Sequence, residues 1–426
     1  MQKAKNSISP FYAYLVLAIL MLAYISSFVD RQIVAVLAVQ IKKELALSNF
    51  QSGLLYGTAF SFIYAFAGIF MGRMADLYHR KRLILWGLVC WSGATIASGW
   101  AGSFLFLVGM RMVVGLSQSM LSPAVYSLLA DYFPPSRRAT VYSLYASSIF
   151  VGVALSFLVG GSVAQTYDWR TAMIAVGAPG LAIALLGQLI IKEVSRGRFQ
   201  KMTTGSKNAI SREPENMWAV LRYMLRKKTI RWHLAGFSFL AFLGYTILAF
   251  ISTVLVETYQ RPELVTHYGW FLLGTGVTVT LSGKLADVIA RKSGNPARRF
   301  VMGIVAALGG LPFYWMGLLS DGGFQALIWC GVAVMFSSSY NGVAAALLQY
   351  LVTSKMRAMA GGLYLFVISV VGFGIGPPAT GWLMDHVFTG EYGPGKSLLL
   401  VITLCGLAAT ACFLAAMRTY ADDAVD

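Results

Sequence analysis

Residues 72–82 read Gly72-Arg73-Met74-Ala75-Asp76-Leu77-Tyr78-His79-Arg80-Lys81-Arg82, a short charged loop set between two apolar runs. Residues 283–287 read Gly283-Lys284-Leu285-Ala286-Asp287, again between apolar runs and again followed by bases, Arg291-Lys292 and Arg298-Arg299. Outward from these two loops, apolar runs fill the chain. They lie at roughly 11–38, 48–71, 83–100, 104–130, 138–165, 170–191, 232–257, 267–290, 300–319, 324–350, 357–384 and 397–417. A helix needs roughly 20 apolar residues to cross a bilayer core about 30 Å thick. Barrel strands need only about 10 residues and alternate in polarity, which these runs do not. Backbone groups in lipid must be satisfied internally, so the runs are expected to be helices. The fold class is an all-α polytopic membrane protein with twelve transmembrane helices.

Six runs precede a polar stretch, residues 192–231, and six follow it. The expected organisation is an N-terminal six-helix bundle over 1–191, a basic linker over 192–231 and a C-terminal six-helix bundle over 232–426. The linker carries eleven Lys/Arg against three Glu. Within it, 216–226 (NMWAVLRYMLR) mixes Trp, Leu and Arg at helical spacing. That pattern fits an amphipathic helix at the membrane surface, or a plain solvated linker. The repeated loop sits after the second and eighth runs with the same orientation, which implies a parallel repeat of two halves. With both termini and the linker on one side, that side holds 27 of the 34 Lys/Arg and the other holds 5. The positive-inside bias then places both termini in the cytoplasm, in a cell inner membrane.

Composition agrees. The chain is 57% hydrophobic and 12% charged, against about 25% charged for soluble domains. Its net charge of +17 sits in loops between spans, so nucleic acid is not the expected partner. The first run is too long for a signal-peptide core and lacks a small-residue cleavage site, so no cleavable signal is expected. The four cysteines, Cys90, Cys330, Cys405 and Cys412, fall inside apolar runs without metal-ligand spacing and read as small buried hydrophobes. No phosphate-cradling Gly-Lys-Ser/Thr loop is present, and the four His are scattered. An enzyme, a metal and a cofactor are not expected.

The segment Gly72 to Arg82 resembles the loop signature of the major facilitator superfamily, with His79 where the family usually has Gly. Phe28-Val29-Asp30-Arg31-Gln32, Arg111 to Gly115, Ser122-Pro123, Asp131-Tyr132-Phe133-Pro134, Arg137-Arg138-Ala139, Trp169-Arg170, Arg357-Ala358 and Gly374-Ile375-Gly376-Pro377 are similar to bacterial spinster-type transporters. The resemblance covers nearly the whole chain. It implies the major facilitator fold and an association with lysophospholipid and sphingolipid-type export, often proton-linked. The family commonly has Glu seven residues after the span-four Arg, and here that position is Gln118.

Charges inside spans are costly and therefore mark candidate function. Asp30 is the one acidic residue deep in a span, with Arg31 beside it and Arg111 in span four. Asp30 is the candidate protonation switch and Arg111 its candidate partner, since a nearby Arg and desolvation pull a carboxyl in opposite directions. A fixed Asp30–Arg111 or Asp30–Arg31 pair that only joins helices is the structural alternative. Arg31 and Arg111 also suit a phosphate or carboxylate, because the planar fork bonds both oxygens. Gln118, Tyr340, Asn341 and Gln349 are further candidate cargo contacts. Gly72, Asp76, Arg80, Arg82, Gly283 and Asp287 are a candidate conformational latch: Gly for close helix packing, the rest for pairing between halves. The Gly- and Pro-rich eleventh run, from Gly361 to Gly381, reads as a moving part.

The expected activity is secondary active transport by alternating access, by a monomer among membrane lipids. Its expected cargo is an amphipathic anion or zwitterion such as a lysophospholipid, moved with protons. A proton-coupled symporter of small organic anions is the alternative within transport. A non-transporting sensor or scaffold is the alternative of another class.

Overall fold

The computed structural model describes residues 9–199, 217–353 and 356–423. Twelve long helices follow in chain order: α1 (Pro10–Val36), α2 (Asn49–Leu77), α3 (Arg80–Ser98), α4 (Phe104–Tyr132), α5 (Pro135–Thr166), α6 (Trp169–Ile190), α7 (Lys228–Thr258), α8 (Glu263–Ser293), α9 (Pro296–Leu318), α10 (Gly323–Leu351), α11 (Met359–His386) and α12 (Gly393–Asp423). Eleven of them are long and apolar enough to cross a membrane. The other, α3, spends its first turn on Arg80, Lys81 and Arg82, which lowers its mean hydropathy. The expected runs and the helices coincide, and the helices run a few residues further into polar sequence at several ends.

Local chemistry sets the starts. Ser9, Ser103 and Asp168 cap α1, α4 and α6 by accepting a bond from the third backbone N–H. Ser48 and Gln51 form a reciprocal capping box at the start of α2. Large apolar side chains point outward all round, among them Leu105 (77% exposed) and Leu189 (71%). In water such a surface would aggregate, and in lipid it is the expected face.

Helices α1 to α6 contact mainly one another, as do α7 to α12. The cores break that symmetry. One apolar core runs continuously from α1 and α2 into α7, α8, α10, α11 and α12. A second is confined to the later helices and includes Val220 and Met224 of a short helix, Met217–Arg226. That helix decides between the two readings the sequence left open for 216–226, a surface helix or a plain linker, and Asn216 lies outside the described residues. Three cysteines are buried as expected. Cys90 is not: it is exposed on the outer face of α3.

Candidate functional site

Asp30, Arg31, Arg111 and Gln118 meet where α1 crosses α4. All four are buried, at 0%, 8%, 3% and 2% exposure. Arg111 donates Nη1 to the Asp30 carbonyl and Nη2 to the Arg31 carbonyl, both at 3.0 Å. The expected ion pair is therefore absent: Arg111 grips the backbone of Asp30, not its carboxylate. Each carbonyl has a second lone pair beside the one its own helix uses, and Arg111 takes it. The Asp30 carboxyl turns instead toward Ser26, Trp91 and Thr95. Among the described residues neither of its oxygens makes a full hydrogen bond, and the Ser26 hydroxyl, Thr95 hydroxyl and Trp91 indole nitrogen stand near it without one as well.

Arg31 points the other way. Its guanidinium lies 4.5 Å from the Phe28 ring centre, 4.6 Å from Phe60 and 4.9 Å from Tyr64. One Nη2 donates to Gln118 Oε1 at 3.2 Å, and the Gln118 amide donates to the Ser27 carbonyl at 2.9 Å. Arg31 Nε is without a partner, and no carboxylate pairs with Arg31 among the described residues. Gln118 thus serves as a helix-to-helix tie that also steadies the guanidinium. The aromatic wall continues across the seam: Phe373 of α11 packs on Tyr56 and Phe60 at 4.9 and 5.5 Å, and Tyr245 of α7 stacks on Phe373 at 4.4 Å.

The second-half candidates do not join this cluster. Tyr340 is buried at a break in α10 and packs on Phe237, in the core of the later helices. Asn341 is exposed and bonds back to the Ser338 carbonyl. Gln349 sits one helix end away, 3.5 Å from the Arg357 carbonyl.

The latch residues are also separated. Arg80 is wholly buried and bonds Asp131, Glu193 (2.8 Å) and the carbonyls of Ser127 and Val194. Asp287 pairs with Arg299 at 3.0 Å. Both networks stay within their own six helices. Asp76 and Arg82 are exposed, and among the described residues neither has an ion pair. A Cβ at Gly72 would meet nothing within 4 Å, so the expected close packing is not made there. At Gly283 the nearest neighbour would be the Gly342 carbonyl at 3.7 Å.

The cause lies at the other end of the molecule, away from both termini, where the two sets of helices are closed on each other. Asp385 of α11 accepts from Asn49 N (3.0 Å), Asn49 Nδ2 (2.8 Å) and Phe50 N (2.8 Å), capping α2 from across the seam. Lys42 pairs with Glu257 at 2.5 Å. Gln165 donates to the Pro262 carbonyl and Thr58 to the Gly374 carbonyl. Small residues let the backbones touch: a Cβ on Gly381 would lie 2.3 Å from the Asn49 carbonyl, and one on Gly53 2.6 Å from Pro377. Wide π-type turns interrupt α2, α5, α7 and α11 in this same half of the molecule, at Leu54–Thr58, Ser156–Gly160, Val254–Thr258 and Ser369–Ile375. Such turns often mark functional sites in helices. Glu257 and Asp385 lie near helix ends, and nothing in the sequence names their partners across the seam. The Ser48–Gln51 capping box was readable, but nothing along the chain ties it to a residue more than 300 positions later.

Comparison with known proteins accords with this architecture. An MFS-type efflux pump of Mycolicibacterium smegmatis is 26% identical over 98% of this chain and 95% of its own. A hexuronate transporter of Bacillus subtilis is 24% identical over 88% of each. A crystal structure of a bacterial homolog to the human lysosomal transporter Spinster, inward-facing and unoccupied, superposes with a TM-score of 0.83 at 23% identity, covering 98% of this chain and 100% of that one. Residues 20–377 match the profile of the Major Facilitator Superfamily, and the chain belongs to that family of membrane transporters.

Proposed function

We propose that the chain is a secondary transporter that carries an amphipathic anion or zwitterion, with a lysophospholipid as the leading cargo, and that Asp30 links transport to protons. The observation that carries the cargo class is Arg31: a near-buried guanidinium with spare donors, no acidic partner among the described residues, and aromatic rings on several sides. Such a group accepts a phosphate or carboxylate through charge-assisted bonds. The wall beyond it, Phe60, Phe373 and Tyr245, suits an apolar body rather than a second charge.

Asp30 supports the coupling. A carboxylate sealed from water with no full hydrogen bond is costly, so its protonation and the conformation that seals it are linked. Arg111 holds the backbone on which both Asp30 and Arg31 sit, and a shift of α4 against α1 would move both groups together. The residues 1–191 and 232–426 act as the two moving bodies, joined by 192–231. With both termini in the cytoplasm, by the charge bias, the end left unsealed here faces inward. Gly72, Asp76, Arg82, Gly283 and Asp287 then engage when the opposite state forms, with Arg80 as their fixed anchor. Tyr340, Asn341 and Gln349 contact cargo only in that other state.

A second reading is a proton-coupled symporter of small organic anions, favoured by the likeness to a hexuronate transporter. Binding separates the two. Purified protein is titrated with lysophosphatidylglycerol and with a hexuronate, for the parent, Arg31→Lys and Arg31→Gln. The lipid reading expects lysophosphatidylglycerol to bind, Arg31→Gln to lose roughly tenfold or more in affinity, as for a charge-assisted bond worth about 1.5–3 kcal/mol, and the hexuronate not to compete. Competition by the hexuronate would select the second reading, and unchanged binding in Arg31→Gln would remove Arg31 from the site.

A further inference from the structure

We propose that the outer face of the surface helix Met217–Arg226 binds anionic phospholipid headgroups. Its inner face is already used. Val220 and Met224 are buried in the core of the later helices, and Tyr223 donates to the Leu351 carbonyl at the end of α10 at 3.3 Å. The helix also touches the start of α7 and the first turns of α11.

Its outer face sets apolar and basic side chains next to one another. Trp218 and Leu225 are 66% and 54% exposed. Arg222 and Arg226 are exposed beside them, and Lys228 and Arg231 continue the basic surface onto α7, where Trp232 is 42% exposed. Among the described residues none of these four bases has an ion pair, and Asp423 is taken by Lys227 and by the Thr229 amide. Leu225 and Trp232 favour an apolar boundary, and the four cations an anionic one. The headgroup layer offers both an acyl boundary and negative charge. The position fits: only Lys227 separates the helix from α7, whose apolar run starts one turn further on, which sets it at headgroup depth. Charge complementarity and depth together select an anionic lipid over a zwitterionic one. A headgroup held there braces the helix against the α10 and α11 ends.

The test uses the full chain in detergent and reads its melting temperature while phosphatidylglycerol, phosphatidylcholine or soluble glycerol phosphate is titrated in. The parent is expected to be stabilised by phosphatidylglycerol at far lower concentration than by phosphatidylcholine, and not by glycerol phosphate. Each base near an anionic surface is worth about fivefold in affinity at low ionic strength. The variant Arg222→Gln/Arg226→Gln/Lys228→Gln should therefore need on the order of 100-fold more phosphatidylglycerol. A variant keeping the charge, Arg222→Lys/Arg226→Lys, should respond like the parent. So should a control lacking three bases of the α8–α9 region, Arg291→Gln/Lys292→Gln/Arg298→Gln. An unchanged response in the first variant, an equal loss in the control, or stabilisation by glycerol phosphate would each overturn the proposal.

Discussion

Replacing Asp385 by Asn removes a negative charge from the mouth of α2 while keeping the side chain's shape. In the closed end, that carboxylate accepts three bonds from the α2 terminus, two of them from backbone N–H groups at 2.8 and 3.0 Å. An anion at a helix N-terminus is favoured by the dipole, and bonds to charged groups are worth about 1.5–3 kcal/mol each when desolvated. Asp385 is half-buried, and an amide still accepts through one oxygen, so a net loss of about 2 kcal/mol is reasonable. That shifts the balance between this conformation and its opposite by about 30-fold. Because the bonds cross between α2 and α11, the loss falls on the conformation rather than on folding. The assay is a spin-label distance between Tyr167→Cys and Tyr392→Cys, two exposed positions at the closed end, with the native cysteines replaced by Ser. Asp385→Asn should populate a longer distance, and Asp385→Glu should restore much of the short one. Identical distance distributions in Asp385→Asn and parent, with the fold intact, would refute the argument that this cap holds the end shut.

Gly381→Val should produce the same lengthening by a steric route, since its Cβ would lie 2.3 Å from the Asn49 carbonyl; a short distance in that variant would mean the backbones can yield. Arg80→Gln should destabilise the folded protein by about 3 kcal/mol by leaving Asp131 and Glu193 unmatched, read as a lower denaturation midpoint, and Arg80→Lys should rescue only part because a single ammonium cannot span both acids and two carbonyls. Glu44, the last residue of the short helix Ala38–Glu44 between α1 and α2, is held below its usual value of 4.5 by the Arg170 guanidinium and then by the Trp169 indole. A depressed carboxyl stabilises above its unfolded value and loses that contribution as pH falls through the folded one. Stability should therefore drop slightly below about pH 4.5 in the parent, and Glu44→Gln should flatten that part of the melting profile against pH.

Much of this architecture was legible because lipid imposes simple rules. A run of twenty apolar residues has one stable form there, so the twelve helices followed from length alone, and the Gly72 and Gly283 loops gave the repeat. The hardest helix was α3, whose leading Arg80 looks like surface charge and is in fact wholly buried. Its partners are Asp131 of α4 and Glu193 in the segment after α6, and sequence order gives no hint of them. Asp30, Arg31, Arg111 and Gln118 were legible as costly polar groups within spans. Their mutual geometry was not, since adjacent residues on a helix diverge by about 100°. That divergence sends Asp30 toward α3 and Arg31 toward the aromatic seam. Tyr340, Asn341 and Gln349 were chosen by polarity alone, and burial, exposure and helix-end position separate them from Arg31 in this conformation. The cross-seam contacts of Asp385 were beyond sequence reading, because they join residues 336 positions apart in different halves of the chain.

The most direct measurement is flux of a labelled lysophospholipid in proteoliposomes, with and without a pH gradient, for the parent and Asp30→Asn. Proton-linked lipid transport through Asp30 predicts flux that the gradient stimulates and that Asp30→Asn uncouples from it. Flux indifferent to both the gradient and Asp30, or no lipid flux in either protein, would contradict it.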